Sequence, residues 1–379
     1  MSIEPDTKDW TWVLDRPCPE CGFDAAVLTP ADIPGTIEAN AVGWTRVLAG
    51  DQVTRRPRPD RWSTLEYACH VRDVHRVFDE RVRLMLGEQD PLFANWDQDA
   101  AAVEGGYDLQ DPAVVSGELV EAANAVAASY RLVGTDQWAR TGRRSNGSTF
   151  TVDSLGRYHL HDVIHHLHDV GFDATAGTIE AYDTYAEPYA ERTPRSSEAV
   201  DAAIARFVGL LPPRPRVLEI GSGPGWDALA LGEAGCSVRC TDVTPSFVEM
   251  LRGRGLEADL VDPLTDDLRD PADPSRPYDG VWANASLLHV ERFALGRVLA
   301  RLAEVSRPEA LLHVAVKEGD GDGWSEPQPG RVNAPRLFTY WREEPLAGAL
   351  SRAGWQPIEV HHLADPTGEA WLDVLARRR

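Results

Sequence analysis

Two stretches of this sequence hold residue types that do chemistry. The first is a cluster of histidines: His159, His161, His165, His166 and His168 fall within ten residues. At about 100° per residue on a helix, His161, His165 and His168 lie within roughly 60° of one another. His159 and His166 project roughly 100–160° away from them. Leu160, Val163, Ile164, Leu167 and Val170 form the apolar arc between the two sets. His161 and His165, four apart on one face, have the spacing of a two-point metal ligand on a helix. A third ligand has to come from another element, and His70 is the candidate. Three imidazoles suit Zn²⁺, Ni²⁺ or Fe²⁺ and leave open positions for water or a thiolate. Asp162, Asp169 or the segment Trp96–Asp99 could orient the ligands. His75 and His168 read as non-ligands. Cys18-Pro19-Glu20-Cys21 has the look of a zinc knuckle, but a single Cys-x-x-Cys with no second pair nearby reads as a structural turn.

The second stretch is Val217-Leu218-Glu219-Ile220-Gly221-Ser222-Gly223-Pro224-Gly225. An apolar strand ends at Ile220, and three glycines then let the backbone turn sharply and approach a ligand. A helix from about Trp226 to Ala234 would aim its N-terminus at that ligand. Asp242, after the next strand, stands where dinucleotide folds bind ribose hydroxyls. A glycine-rich turn fits NAD, FAD and S-adenosylmethionine alike. Glu219 at the strand end and the Gly-x-Gly-x-Gly spacing favour S-adenosylmethionine.

The elements that must position these groups differ between the two halves. Ala31–Leu48, Ser63–Leu86 and Pro112–Leu132 carry apolar residues at helical spacing. Ser63 with Glu66 is a capping-box pattern. A fourth helix runs from about Ser154 to Val170 and stops at Gly171. Four such helices predict an antiparallel bundle, with Asp90–Tyr107 as a long connection. The second half alternates short apolar runs with helices: Arg216–Ile220, Ser237–Thr241, Ala258–Val261, Gly280–Ala283 and Leu311–Val316, then Pro357–His361 and Ala370–Ala376. That rhythm predicts a parallel sheet covered on both faces.

Both halves resemble known families. The run from Val217 to Gly225 resembles the first motif of class I, S-adenosylmethionine-dependent methyltransferases. Tyr278–Asn284 resembles that family's fourth strand, with Leu287-Leu288-His289-Val290 opening the next helix. The resemblance implies a Rossmann-like α/β domain over 212–379. It also implies a cofactor held by Glu219, Gly221, Ser222, Gly223, Gly225, Asp242, Val243, Asp262 and Asn284, with Asp242 at the ribose and Asp262 beside the adenine. His289, after the fourth strand, would be the base. Arg307-Pro308-Glu309-Ala310 departs from the family's Pro-Gly-Gly turn. Lys317–Gly330, followed by Phe338-Thr339-Tyr340-Trp341, would lie over the active site, with Tyr340 and Trp341 as candidate substrate contacts.

The stretch from Arg61-Trp62-Ser63 to His70, with His161-Asp162-Val163-Ile164-His165-His166-Leu167-His168-Asp169, resembles the DinB/YfiT-like superfamily. These are four-helix bundles with a three-ligand divalent metal, and their members include thiol-dependent transferases and mycothiol-dependent maleylpyruvate isomerase. The resemblance implies a bundle over 30–173 with a divalent metal (Zn, Ni or Fe) at His70, His161 and His165. An extension, 1–29, would precede it, and a connecting segment, 174–211, would follow. Tyr182, Tyr185 and Tyr189 in that segment could cap the cofactor.

Charge and composition narrow the function. The net charge of −22 disfavours phosphate backbones, so no nucleic-acid partner is expected. No apolar run is long enough to span a membrane, and the acidic start, Met1–Trp12, does not read as a secretory leader. Five scattered cysteines do not read as a disulfide framework, which points to a cytoplasmic protein. The expected function is methyl transfer to a small molecule, with a thiol among the candidate partners. Two alternatives are a metal-dependent thiol S-transferase centred on the bundle, and a degenerate bundle serving as an interaction module.

Overall fold

The structure is a computed structural model that describes residues 10–193 and 195–379. The acidic residues 1–9, which entered the reading against a leader, lie outside the described residues. The chain divides into two compact units: one up to Asp173 together with Gly321–Gly323, the other Ala174–Asp320 with Trp324–Arg379. No described helix is long and apolar enough to cross a membrane.

The first unit is built on four helices, α1 (Asp32–Leu48), α2 (Thr64–Gly87), α3 (Pro112–Arg131) and α4 (Val152–Asp169). Their starts follow from local side-chain chemistry. Ser63 Oγ accepts from the Glu66 amide at 3.2 Å while Glu66 Oε2 accepts from the Ser63 amide at 2.8 Å, closing the capping box that opens α2. Asp111 caps α3 with Pro112 behind it. Thr151 and Ser154 form a second reciprocal cap at α4. The inward faces bury Ile33, Ile37, Trp44, Leu65, Val71, Val82, Leu119, Val126 and Leu160. The connection 90–107 is more structured than expected. It pairs Leu92–Phe93 with a hairpin of Thr141–Arg144 and Thr149–Thr151, and then forms a short helix, Gln98–Glu104. None of these short pieces has the length that makes periodicity readable.

The second unit holds a seven-stranded sheet. Its strands are β1 (Arg216–Ile220), β2 (Ser237–Asp242), β3 (Ala258–Leu260), β4 (Tyr278–Asn284), β5 (Ser306–Lys317), β6 (Trp355–Ala364) and β7 (Ala370–Arg378). Their order is β6-β7-β5-β4-β1-β2-β3. The strands from β1 to β5 run parallel, and β7 inserts antiparallel between β5 and β6. This is the mixed seven-stranded arrangement typical of class I methyltransferases. Central β1 is buried at every residue, as a strand covered on both faces must be. Helices α5 (Ala174–Thr184), α6 (Ala186–Arg192) and α7 (Glu198–Gly209) precede the sheet, and α8 (Trp226–Glu233) follows β1. The expected turn at Arg307–Ala310 lies inside β5 instead, where Glu309 takes φ +64°, a conformation glycine adopts more easily.

Candidate functional site

The order of the sheet reverses beside β1, and the glycine-rich loop leaves β1 at that point. Open α/β sheets bind ligands there, beyond the carboxyl ends of the strands. A cavity of about 250 Å³ opens over the loop, lined by Glu219, Gly221, Ser222, Gly223, Asp227, Asn284 and Ala285, with Tyr189 and Arg195 on its other side. Gly221 is needed on two counts. Its φ is +69°, and a Cβ there would stand 2.4 Å from Ser286 Cβ. Asp242 braces the loop from behind. Its carboxylate accepts from the Gly223 amide at 2.8 Å and from the Thr244 amide at 2.8 Å, and it does not line the cavity. Val243 follows it at the end of β2. Asp262 is likewise turned to its own loop, accepting from the Leu264 amide at 2.8 Å.

Glu219 is buried and faces the cavity, and its Oε2 has no hydrogen-bond partner among the described residues. Burial, and then the neighbouring Asp227, push its carboxyl up to about 8. Asp227 was not singled out from the sequence. Its Oδ2 accepts from Asn284 Nδ2 at 2.7 Å and from Trp282 Nε1 at 2.9 Å, joining α8 to the end of β4. Ala285, next along, holds φ +53° at the cavity wall. A non-glycine residue held there stores strain of the kind found at binding sites.

A second cavity, of about 700 Å³, shares Ser197, Val200, Asn284 and Ala285 with the first. It extends to His313, Trp371 and Asp373, and His313 Nε2 stands 3.3 Å from Asp373 Oδ1. His289 lines neither cavity. Its Nε2 stands 2.9 Å from the Tyr182 hydroxyl and its Nδ1 2.8 Å from the Leu337 carbonyl oxygen. Burial pushes its titration down to about 3, so the ring expected to act as a base is neutral, weakly basic and engaged at both nitrogens. Trp341 is fully buried in the core and Tyr340 packs against it.

In the first unit a cavity of about 730 Å³ collects Trp10, Arg61, Trp62, Tyr67, Trp96, His161, Asp162, His165, His166 and Asp169. The three expected ligands divide between two groups, each with residues in its wall. His70 meets Asp162 and His166, while His161 and His165 meet Cys18 and Cys21; within each group one ligand atom per residue lies within 4.8 Å of the others. The physical reason is the α4 wheel. Asp162 and His166 form an i,i+4 pair of the same spacing as His161 and His165, rotated about 100°, and that pair is the one facing His70 on α2. His70 Nε2 stands 3.5 Å from Asp162 Oδ1, and both His70 nitrogens lack a hydrogen-bond partner among the described residues. The His70 imidazole, lowered by its burial, is neutral and available to a metal, and Asp162, held below the usual carboxylate range chiefly by His70 and His166 against its own burial, is ionised. His75 and His159, in contrast, form a buried pair with Nδ1 and Nε2 3.0 Å apart.

Comparison with known proteins agrees with this division. The DinB superfamily model matches residues 37–170 and the Methyltransferase domain model matches 189–360. No curated protein matches the chain. Among solved structures, the chain is similar to the 1,6-didemethyltoxoflavin-N1-methyltransferase of Burkholderia thailandensis, with 22% identity over 54% of this chain and 84% of that one and a TM-score of 0.39. It is similar to an N-methyltransferase of Bradyrhizobium japonicum, with 14% identity over 54% and 99% and a TM-score of 0.40. It is also similar to the magnesium protoporphyrin IX methyltransferase of Synechocystis, with 14% identity over 55% and 99% and a TM-score of 0.41. From the two family matches, and from the bundle and sheet that carry them, the chain is a DinB superfamily domain followed by a methyltransferase domain.

Proposed function

We propose that this protein is an S-adenosylmethionine-dependent methyltransferase of a small molecule. The observation that carries the reading is Glu219, buried in the wall of the cavity made by the glycine loop with its Oε2 unpartnered among the described residues. S-adenosylmethionine bears a sulfonium and an ammonium, so a cavity with Glu219 and Asp227 in its wall fits its charge. When bound, the cofactor supplies a methyl group already activated for transfer. The protein's part is alignment and exclusion of water. The Gly221–Gly225 backbone approaches the cofactor, Asp242 holds that loop in shape, and Arg195 stands where a carboxylate could pair with it. The methyl acceptor takes the adjoining cavity of about 700 Å³, which joins the first at Asn284 and Ala285. His313, beside Asp373, is the imidazole of that cavity and the candidate to take a proton from the acceptor.

In the bundle, the observation favouring a metal is the fully buried His70 ring, which gathers with Asp162 and His166 so that one ligand atom of each lies within 4.8 Å of the others. We assign the open divalent position to these three residues. Three ligands would leave a divalent ion room for a thiol, which keeps a metal-dependent thiol S-transferase as the second reading. Calorimetry with S-adenosylmethionine and with NAD tests the cofactor. Release of S-adenosylhomocysteine from a metabolite extract, with and without added thiols, tests the acceptor. Binding of NAD with none of S-adenosylmethionine overturns the first reading.

A further inference from the structure

The open position at His70, Asp162 and His166 leaves a second set of ligand types unused on the same helix. His161 and His165 face the N-terminal segment, and Cys18 and Cys21 come to meet them. All four ligand atoms lie within 4.8 Å of one another, and Cys18 Sγ is 3.7 Å from His165 Nδ1. A tetrahedral zinc with bonds of about 2.3 Å to sulfur and about 2.0–2.1 Å to nitrogen has edges of about 3.3–3.8 Å. The sulfur–nitrogen separation is therefore already an edge of that tetrahedron, and the other atoms have only a short way to close.

Several further observations point to a cation. Cys18, His161 and His165 are 2%, 3% and 7% exposed, and His161 Nε2 is buried with no hydrogen-bond partner among the described residues. The far nitrogen of His165, Nε2, stands 3.5 Å from Glu20 Oε2 and 4.0 Å from Asp169 Oδ2. A carboxylate on the far side of a ligating imidazole fixes its orientation and raises its basicity. The turn between the cysteines is closed by Gly22, whose φ is +77° and whose amide donates to the Cys18 carbonyl at 3.0 Å; the Cys18 amide in turn donates to the Phe23 carbonyl at 2.8 Å. The rings of Trp10 and Phe23 stand 5.4 Å from that of His161, forming an apolar cover. Two thiolates and two neutral imidazoles cancel a double positive charge, so the centre can be buried without a further counter-ion.

We propose that Cys18, Cys21, His161 and His165 hold a structural zinc ion that ties the N-terminal segment to α4. Four protein ligands fill the tetrahedron and leave no position for water or substrate, so the site is closed. The proposal is independent of whether His70, Asp162 and His166 bind a metal. Helix α4 thus serves two centres of opposite character with two i,i+4 pairs one residue apart.

The test uses the full chain. Elemental analysis compares wild type with a Cys18→Ser/Cys21→Ser variant and with an Asp162→Asn/His166→Gln variant. The cysteine variant is expected to lose one zinc equivalent, and the other variant to retain that equivalent whether or not the open position binds a metal. Because the cysteine variant could fail to fold, cobalt substitution of the wild type and of the Asp162→Asn/His166→Gln variant supplies a second measurement. Both are expected to show an intense sulfur-to-cobalt charge-transfer band with the strong visible bands of tetrahedral cobalt. Three results overturn the proposal: no such band, unchanged zinc in the cysteine variant, or a wild-type mass lower by two hydrogens from a Cys18–Cys21 disulfide.

Discussion

Glu219 enters the cofactor cavity as a neutral carboxyl at pH 7, because burial and then Asp227 lift its titration to about 8. A bound cation favours the ionised form, so its titration falls in the complex and binding releases a proton. Affinity for S-adenosylmethionine should therefore rise as pH increases toward 8 and level off above it, with a slope approaching one decade per pH unit. Glu219→Gln should flatten the profile. Calorimetric dissociation constants between about pH 6 and about pH 9 check this, and a wild-type profile flat over that range removes Glu219 from cofactor binding. Asp242 acts at one remove, through the two amides it accepts from. Asp242→Ala removes the bond to the loop at Gly223 and the bond to Thr244 after β2, and should weaken the cofactor by about 1.5–3 kcal/mol. Binding unchanged by that substitution would leave the loop indifferent to its brace.

The loop after β1 makes a sharper distinction among elements. Gly221→Ala drives a Cβ into Ser286 at 2.4 Å with φ at +69°, whereas a Cβ at Gly223 meets nothing within 4 Å and pays only for φ +50°. The second substitution should cost about 1–2 kcal/mol, as for any L-residue held in the left-handed region. The first should cost more and abolish cofactor binding. Thermal unfolding of the two variants ranks them, and equal melting temperatures would mean that Ser286 gives way freely. The loop and most of its strands were legible because glycine spacing and apolar runs of strand length are local signals. So were the bundle helices, whose caps at Ser63 and Asp111 are written in neighbouring residues. Asp227 escaped notice because its importance comes from Trp282 and Asn284, brought to it by the sheet. On α4 the wheel was readable but its rotation was not. Only the packing of α2 decides that Asp162 and His166 face His70. The pairing of Cys18 with His165 spans 147 residues and leaves no trace in spacing.

At the scale of the whole molecule, the two units invite separation. A chain beginning at Ala174 should fold and bind S-adenosylmethionine, since it retains α5, α6 and α7 ahead of the sheet. One beginning at Pro212 loses Tyr189, Arg195 and Ser197 from the cavity wall, and with them the Tyr182 hydroxyl that contacts His289 and accepts from Arg336 at 3.0 Å. Its affinity should fall by about tenfold or more, roughly 1.4 kcal/mol. Equal calorimetric affinity in the two truncated chains removes the connecting helices from cofactor binding.

The 147-residue step from Cys18 to His165 also sets a clock. A ribosome adding about 5–20 residues per second needs about 7–30 s to make that much chain. If the four residues hold zinc as proposed, both thiols exist for that interval without the imidazoles that complete the site, open to oxidants and to stray metals. The N-terminal segment can settle only after α4 has been synthesised, so the part of the first unit made earliest is among the last to find its place.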